Sequence, residues 1–203
     1  MRFAVYRQLT VTSMLVAIGV SAVWVSEAEA AKGDRRTMIF IGTTSYSDGT
    51  TTTLGTSFGA RWSLEFKRDL QWTIGGAYAT TDGEFKDEAT GNVTDVHVRS
   101  ATANTGLTVL FNTDPGTNVI GFVGGGFSII SYDMDFDYPE SEVGQTSGVG
   151  PGIFGNAGAE FRITRSVWFI PAFIASAHAI ETESGDAFTL VSTGVVLSIR
   201  IGF

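Results

Sequence analysis

Residues 188–203, FTLVSTGVVLSIRIGF, alternate between two kinds of position. Thr189, Val191, Thr193, Val195, Leu197, Ile199, Ile201 and Phe203 fall on one side of an extended chain, and Ser192, Gly194, Ser198, Arg200 and Gly202 on the other. A period of two marks a strand whose faces meet different surroundings. The same alternation runs through 54–66, where Leu54, Phe58, Ala60, Trp62, Leu64 and Phe66 oppose Gly55, Ser57, Gly59, Arg61, Ser63 and Glu65. It recurs in 70–80, 96–111 and 150–163. Segments 37–46, 118–132 and 167–180 also read as strands, but their faces stay unassigned. Pro171 lies inside the last of these, where it removes a ladder donor and predicts a bulge or bend.

Polar, turn-forming stretches at 47–53, 67–69, 81–95, 112–117, 133–149, 164–166 and 181–187 separate eight strands. Longer and shorter links alternate along the chain, so long and short ends segregate to opposite sides of an up-and-down sheet. The terminal Phe203, preceded by Ile201, Ile199, Leu197 and Val195 at alternate positions, resembles the last strand of Gram-negative outer-membrane β-barrels. The eight-strand layout extends that resemblance to the small OmpA/OmpX-type barrels over nearly the whole mature chain. It implies an all-β, eight-stranded antiparallel up-and-down transmembrane β-barrel in the bacterial outer membrane, apolar outside and polar inside. It also implies that the five alternating C-terminal residues are the signal read by the barrel-assembly machinery. Strand parity puts both termini on the periplasmic side. A soluble lipocalin-like barrel would invert the faces, and alternation alone does not say which face is inside.

Phe66, Trp72, Phe111, Phe122, Phe161, Phe169 and Phe203 stand near the short turns or the C-terminus, where a lower aromatic girdle is expected. Phe58, Tyr78 and Tyr132 form a thinner upper one. Arg2 and Arg7 precede an apolar run that ends near small residues at Ala28 and Ala30, the pattern of a signal peptide over 1–30, cut after Ala30 or Ala31. A short polar lead-in at 31–36 then precedes a barrel domain at 37–203. The chain carries a net charge of −8, a poor match for nucleic acid, and no cysteine for disulfides. No later apolar run reaches helix-spanning length, so a membrane form must be a barrel.

Inward parity gathers Arg61, Glu65, Glu160, Arg162 and Arg200, and all but Arg61 lie close to the short-turn ends. Isolated charges in so narrow an interior are costly, so a mixed ion network that fills the lumen is expected, with a small gated ion path as the alternative. His97 and Arg99, at the outer rim of the fourth strand, are candidates for contact with lipopolysaccharide phosphates. Asp133, Asp135 and Asp137 alternate in the most acidic stretch and are a weak candidate for a hard cation. Tyr138 and Gly144 stand where an EF-hand loop needs Gly and Glu, and the bland alternative is a solvated, self-repelling loop. Ser176 and His178, near Glu181 and Glu183, suggest a hydrolase set resembling that of the lipid A deacylase barrels, but in reversed order and without the Asn that follows the Ser there. Same-face neighbours on a strand stand about 6.5–7 Å apart, too far for a direct Ser–His bond without bending.

The expectation is a monomeric, non-enzymatic outer-membrane barrel without cofactor, surrounded by lipid and lipopolysaccharide. It would support envelope integrity or contact an unidentified external ligand through acidic loops. A narrow porin-like channel and a lipid-modifying enzyme are the alternatives.

Overall fold

The computed structural model describes residues 35–47, 52–67, 69–86, 93–114, 116–137, 143–182 and 187–201. These hold eight strands: β1 (Arg35–Ser47), β2 (Thr52–Lys67), β3 (Leu70–Lys86), β4 (Val93–Phe111), β5 (Val119–Asp137), β6 (Val143–Arg162), β7 (Val167–Thr182) and β8 (Ala187–Ile201). Each pairs antiparallel with the next, and β8 closes on β1. Closure removes the sheet edge, which is what a chain crossing hydrocarbon requires.

The register sets the shape. Partners followed once round the ring from Arg36, through Ser63, Thr73, Gly106, Gly126, Phe154, Ser176 and Ser192, return to β1 at Tyr46 instead of Arg36. Such a stagger tilts the strands, typically by about 35–45° from the axis, around an interior that side chains alone can fill.

The outer wall carries the alternation of the sequence. Ile39, Leu54, Phe58, Leu107, Val123, Ile153, Phe173, Val195, Leu197 and Ile199 are exposed on it. In a bilayer these side chains meet lipid. Phe66, Trp72, Phe111 and Phe161 are exposed as a lower girdle should be, whereas Phe122 is turned inward and buried. Tyr132 also faces in, and Phe127, 74% exposed, stands on the outer wall instead. On that wall Trp62 and Trp72 meet edge to face, and the Trp72 indole donates to Thr105 Oγ1 at 2.9 Å.

The interior departs from the expectation of a uniformly polar lumen. Met38, Phe40, Leu110, Ile120, Phe122, Trp168, Ile170, Ala172 and Val196 form one buried apolar cluster near the end where β1 begins and β8 finishes, the terminal end of the barrel. Tyr46, Val96, Val98, Ile130, Tyr132, Met134, Ile180 and Leu190 belong to a second towards the opposite end. β1, β5 and β7 supply much of both. Their faces resist assignment because they are apolar towards lipid and towards the lumen alike, as any strand buried on both faces is.

Two further expectations change. The long loops at 81–95 and 133–149 are mostly ladder: β3 runs to Lys86, β4 starts at Val93, β5 continues to Asp137 and β6 starts at Val143. Their polar residues pair across strands, Asp82 with His97 and Arg99 with Asp133, on the outer wall beyond its apolar band. At Pro171 there is no bulge. The β6–β7 register is the same on both sides of it (Gly158 with Ala172, Phe161 with Phe169), and the ladder omits only the pairs between. The β7–β8 ladder runs through Pro171 unbroken, so the missing donor is the one that would face β6.

At the terminal end the turns are tight. Thr164 Oγ1 accepts from the backbone N–H of Ser166 and Val167 at 3.3 and 3.0 Å. In the β4–β5 link Asn112 takes φ 62° and Gly116 φ 91°, left-handed positions that these residue types tolerate.

Candidate functional site: the barrel interior and its outer rim

Near the terminal end, Glu160 of β6 is buried, its side chain 4% exposed, and it accepts through Oε2 from Arg200 at 2.6 Å and from Arg36 at 3.4 Å. Arg36 also reaches Glu65 Oε2 at 3.0 Å, so β1, β2, β6 and β8 are tied across the lumen. Beside this network Arg200 and Arg162 each place their guanidinium carbon 4.6 Å from the Trp168 ring centroid. The face of the indole thus attracts both guanidinium groups.

Glu65, Glu160 and Arg200 are thus linked through Arg36. Arg162 stacks on Trp168 and makes no ion pair among the described residues. Arg61 joins no carboxylate within 4 Å among them either. It points into a small cavity (≈ 20 Å³) also lined by Ser63, Gln71, Thr73, Thr108, Glu160 and Ser198. Arg36 is the network member that sequence reasoning misses. The polar lead-in was expected to end there, whereas β1 starts at Arg35, and the parity of Met38 and Phe40 carries back to Arg36.

Higher in the lumen, His178 is 1% exposed. Its Nε2 lies 2.8 Å from Ser128 Oγ and its Nδ1 3.4 Å from Ser176 Oγ, which in turn meets Ser192 Oγ at 2.7 Å. Ser176 and His178 thus come closer than flat-strand spacing suggests, because the barrel wall is curved and coiled. The acid does not follow. Glu181 is exposed with the opposite parity, and Glu183 lies outside the described residues. Tyr46 and Ser100 hydroxyls pair at 2.6 Å, and Thr53 and Thr81 at 2.7 Å, so these small polar groups satisfy one another within the wall.

On the outer wall near the far end, Arg99 binds Asp135 at 2.5 Å and approaches Asp133 to 4.0 Å, while His97 Nδ1 lies 2.6 Å from Asp82. Asp133 and Asp135 are therefore strand residues held by a cation, not the start of a loop. Among the described residues no group of His, Asp or Glu is arranged to hold a metal ion. Asp137 lies at the end of β5, and Phe203 lies outside the described residues.

A closed eight-stranded meander with an apolar outer band, aromatic girdles and polar outer rim is the fold of small outer-membrane β-barrels. No family model and no curated protein matches the chain. Solved structures do. Neisserial surface protein A superposes with a TM-score of 0.52 at 14% identity, over 85% of this chain and 100% of that one. The outer membrane protein OprG of Pseudomonas aeruginosa gives 0.54 at 12% identity, over 86% of this chain and 99% of that one. A major outer membrane protein of Thermus thermophilus gives 0.55 at 11% identity, over 82% and 99%. At such identities the likeness is one of fold, and that fold is a transmembrane barrel of the bacterial outer membrane.

Proposed function

We propose that this protein is a sealed integral outer-membrane barrel, with its terminal end in the periplasm and its acidic far end exposed to the surroundings. Its role is structural and surface-interactive, supporting the envelope or engaging an external ligand through its outer end. The observation that carries this reading is the filling of the interior: two buried apolar clusters, with the Arg36–Glu160–Arg200 network at one mouth. An eight-stranded barrel filled in this way leaves no aqueous path. In planar bilayers the purified protein is expected to show no stable conductance, and a reproducible large open state would overturn the sealed reading.

The barrel acts without catalysis. The Ser176–His178 pair faces the lumen, and its neighbour Glu181 is exposed with the opposite parity, so it supplies no acid to the pair. Lipid A from cells with and without the protein is expected to be identical by mass spectrometry. The rim residues His97 and Arg99, each half-exposed beside carboxylates, sit where the apolar band ends and contact lipopolysaccharide phosphates from there. Assembly through the C-terminal signal ending in Phe203 is part of the same reading, as is a monomeric state. Removing Phe203 is expected to lower the yield of heat-modifiable, membrane-inserted protein.

A further inference from the structure

Among the described residues the inward-facing charges near the terminal end do not balance. Arg36, Arg61, Arg162 and Arg200 face two carboxylates, Glu65 and Glu160, among the described residues. Arg36 and Arg200 are held by those carboxylates, and Arg162 stacks on Trp168 at the mouth. Arg61 has neither kind of partner. It lies deeper, its register partners being Met38 and Gly75, under the apolar cluster that contains Phe40 and Phe122. Arg61 is partly buried, and a cation drawn away from water without a counter-charge is costly.

The space beside Arg61 is built for a partner that the chain does not supply. The cavity has room for one occupant of about the size of a water molecule. Two of its lining side chains, Gln71 at 2% exposure and Ser63 at 0%, present polar atoms with no hydrogen-bond partner, the Gln71 amide nitrogen and the Ser63 hydroxyl. Both can donate. Glu160 also lines the cavity, but Arg36 and Arg200 already engage its charge, so the unmatched charge there is positive. The structure assigns this cavity as a binding site for a small monatomic anion of the halide class, held by the Arg61 guanidinium with donors from Gln71 and Ser63. The anion supplies Arg61 with the counter-charge that no described carboxylate provides.

Crystals of the wild-type protein soaked in bromide test the assignment directly. An anomalous peak within hydrogen-bond distance of Arg61 is the expected result. A cavity holding only water, or an Arg61 turned onto Glu160, overturns it. In solution, unfolding in detergent micelles is followed while chloride replaces gluconate at constant ionic strength. Chloride at ten times its dissociation constant is expected to raise the folding equilibrium constant about tenfold, because only the folded state has the site. Arg61→Met is expected to lose the chloride response and Arg61→Lys to keep it. A bromide peak without any chloride response in solution marks an adventitious ion and also overturns the site.

Discussion

Glu160 is the residue on which the lumen network turns. Its Oε2 serves two guanidinium groups from strands on either side of the ring closure, and its side chain is 4% exposed, against 19% for Glu65. Removing one member of a buried ion pair strands the others without counter-charge, at a cost of about 3–5 kcal/mol. Glu160→Gln is therefore expected to lower the urea midpoint of the barrel in lipid vesicles by much more than Glu65→Gln. Equal losses would mean that the network does not act through Glu160. At this scale the sequence was informative about side and about which charges stand near the short turns, and uninformative about which of them pair. Glu65, Glu160 and Arg200 stand in cleanly alternating strands, so parity alone turns them inward. Arg36 precedes the uniformly apolar run Met38–Ile41, where no alternation carries parity back to it. Pattern sets Arg61 away from the short turns, but its isolation depends on which neighbours the tilted strands bring beside it, which is a property of register.

At the scale of elements, prolines and glycines show how the wall accommodates what a strand normally forbids. Two interruptions occur in the β6–β7 ladder, one opposite Pro171 and one at Pro151, and neither shifts the register. Pro171→Ala is expected to leave the fold unchanged and to place a new amide at residue 171 that bonds towards β6. Slow exchange of that amide in micelles, by NMR, is the expected signature, and fast exchange would show that the gap has another cause. Gly59 is the opposite case. A Cβ there would stand 2.2 Å from the Gly76 carbonyl oxygen and 2.5 Å from Phe40 Cζ, so the bare backbone is the surface on which the Phe40 ring lies. Gly59→Ala is expected to cost about 1–3 kcal/mol through forced repacking, measured by the same urea titration. The number and order of strands were legible because every turn is marked by polar or turn-forming residues. Their lengths were not. Asp82, Asp133 and Asp135 look like loop composition, yet they lie on strands that continue past the apolar band, where polar side chains pair across the ladder.

For the whole molecule, the proposed sealed state makes the two apolar clusters barriers in series. Phe122 belongs to the cluster near the termini and Ile180 to the one near the far end, and both point into the lumen. An apolar constriction resists permeation because water does not wet it, and ions do not shed hydration to cross it. Shortening one cluster leaves the other intact. Phe122→Ala or Ile180→Ala alone is therefore expected to remain silent in planar bilayers, at a stability cost of about 2–5 kcal/mol each. The double variant opens both constrictions and is expected to conduct, with heat-modifiable gel migration verifying that the barrel is still folded. Conductance from the Phe122→Ala variant alone would show that the far-end cluster seals nothing. A folded but silent double variant would place the barrier in the Arg36–Glu160–Arg200 network instead, and adding Glu160→Gln to it would then be the step that lets ions through.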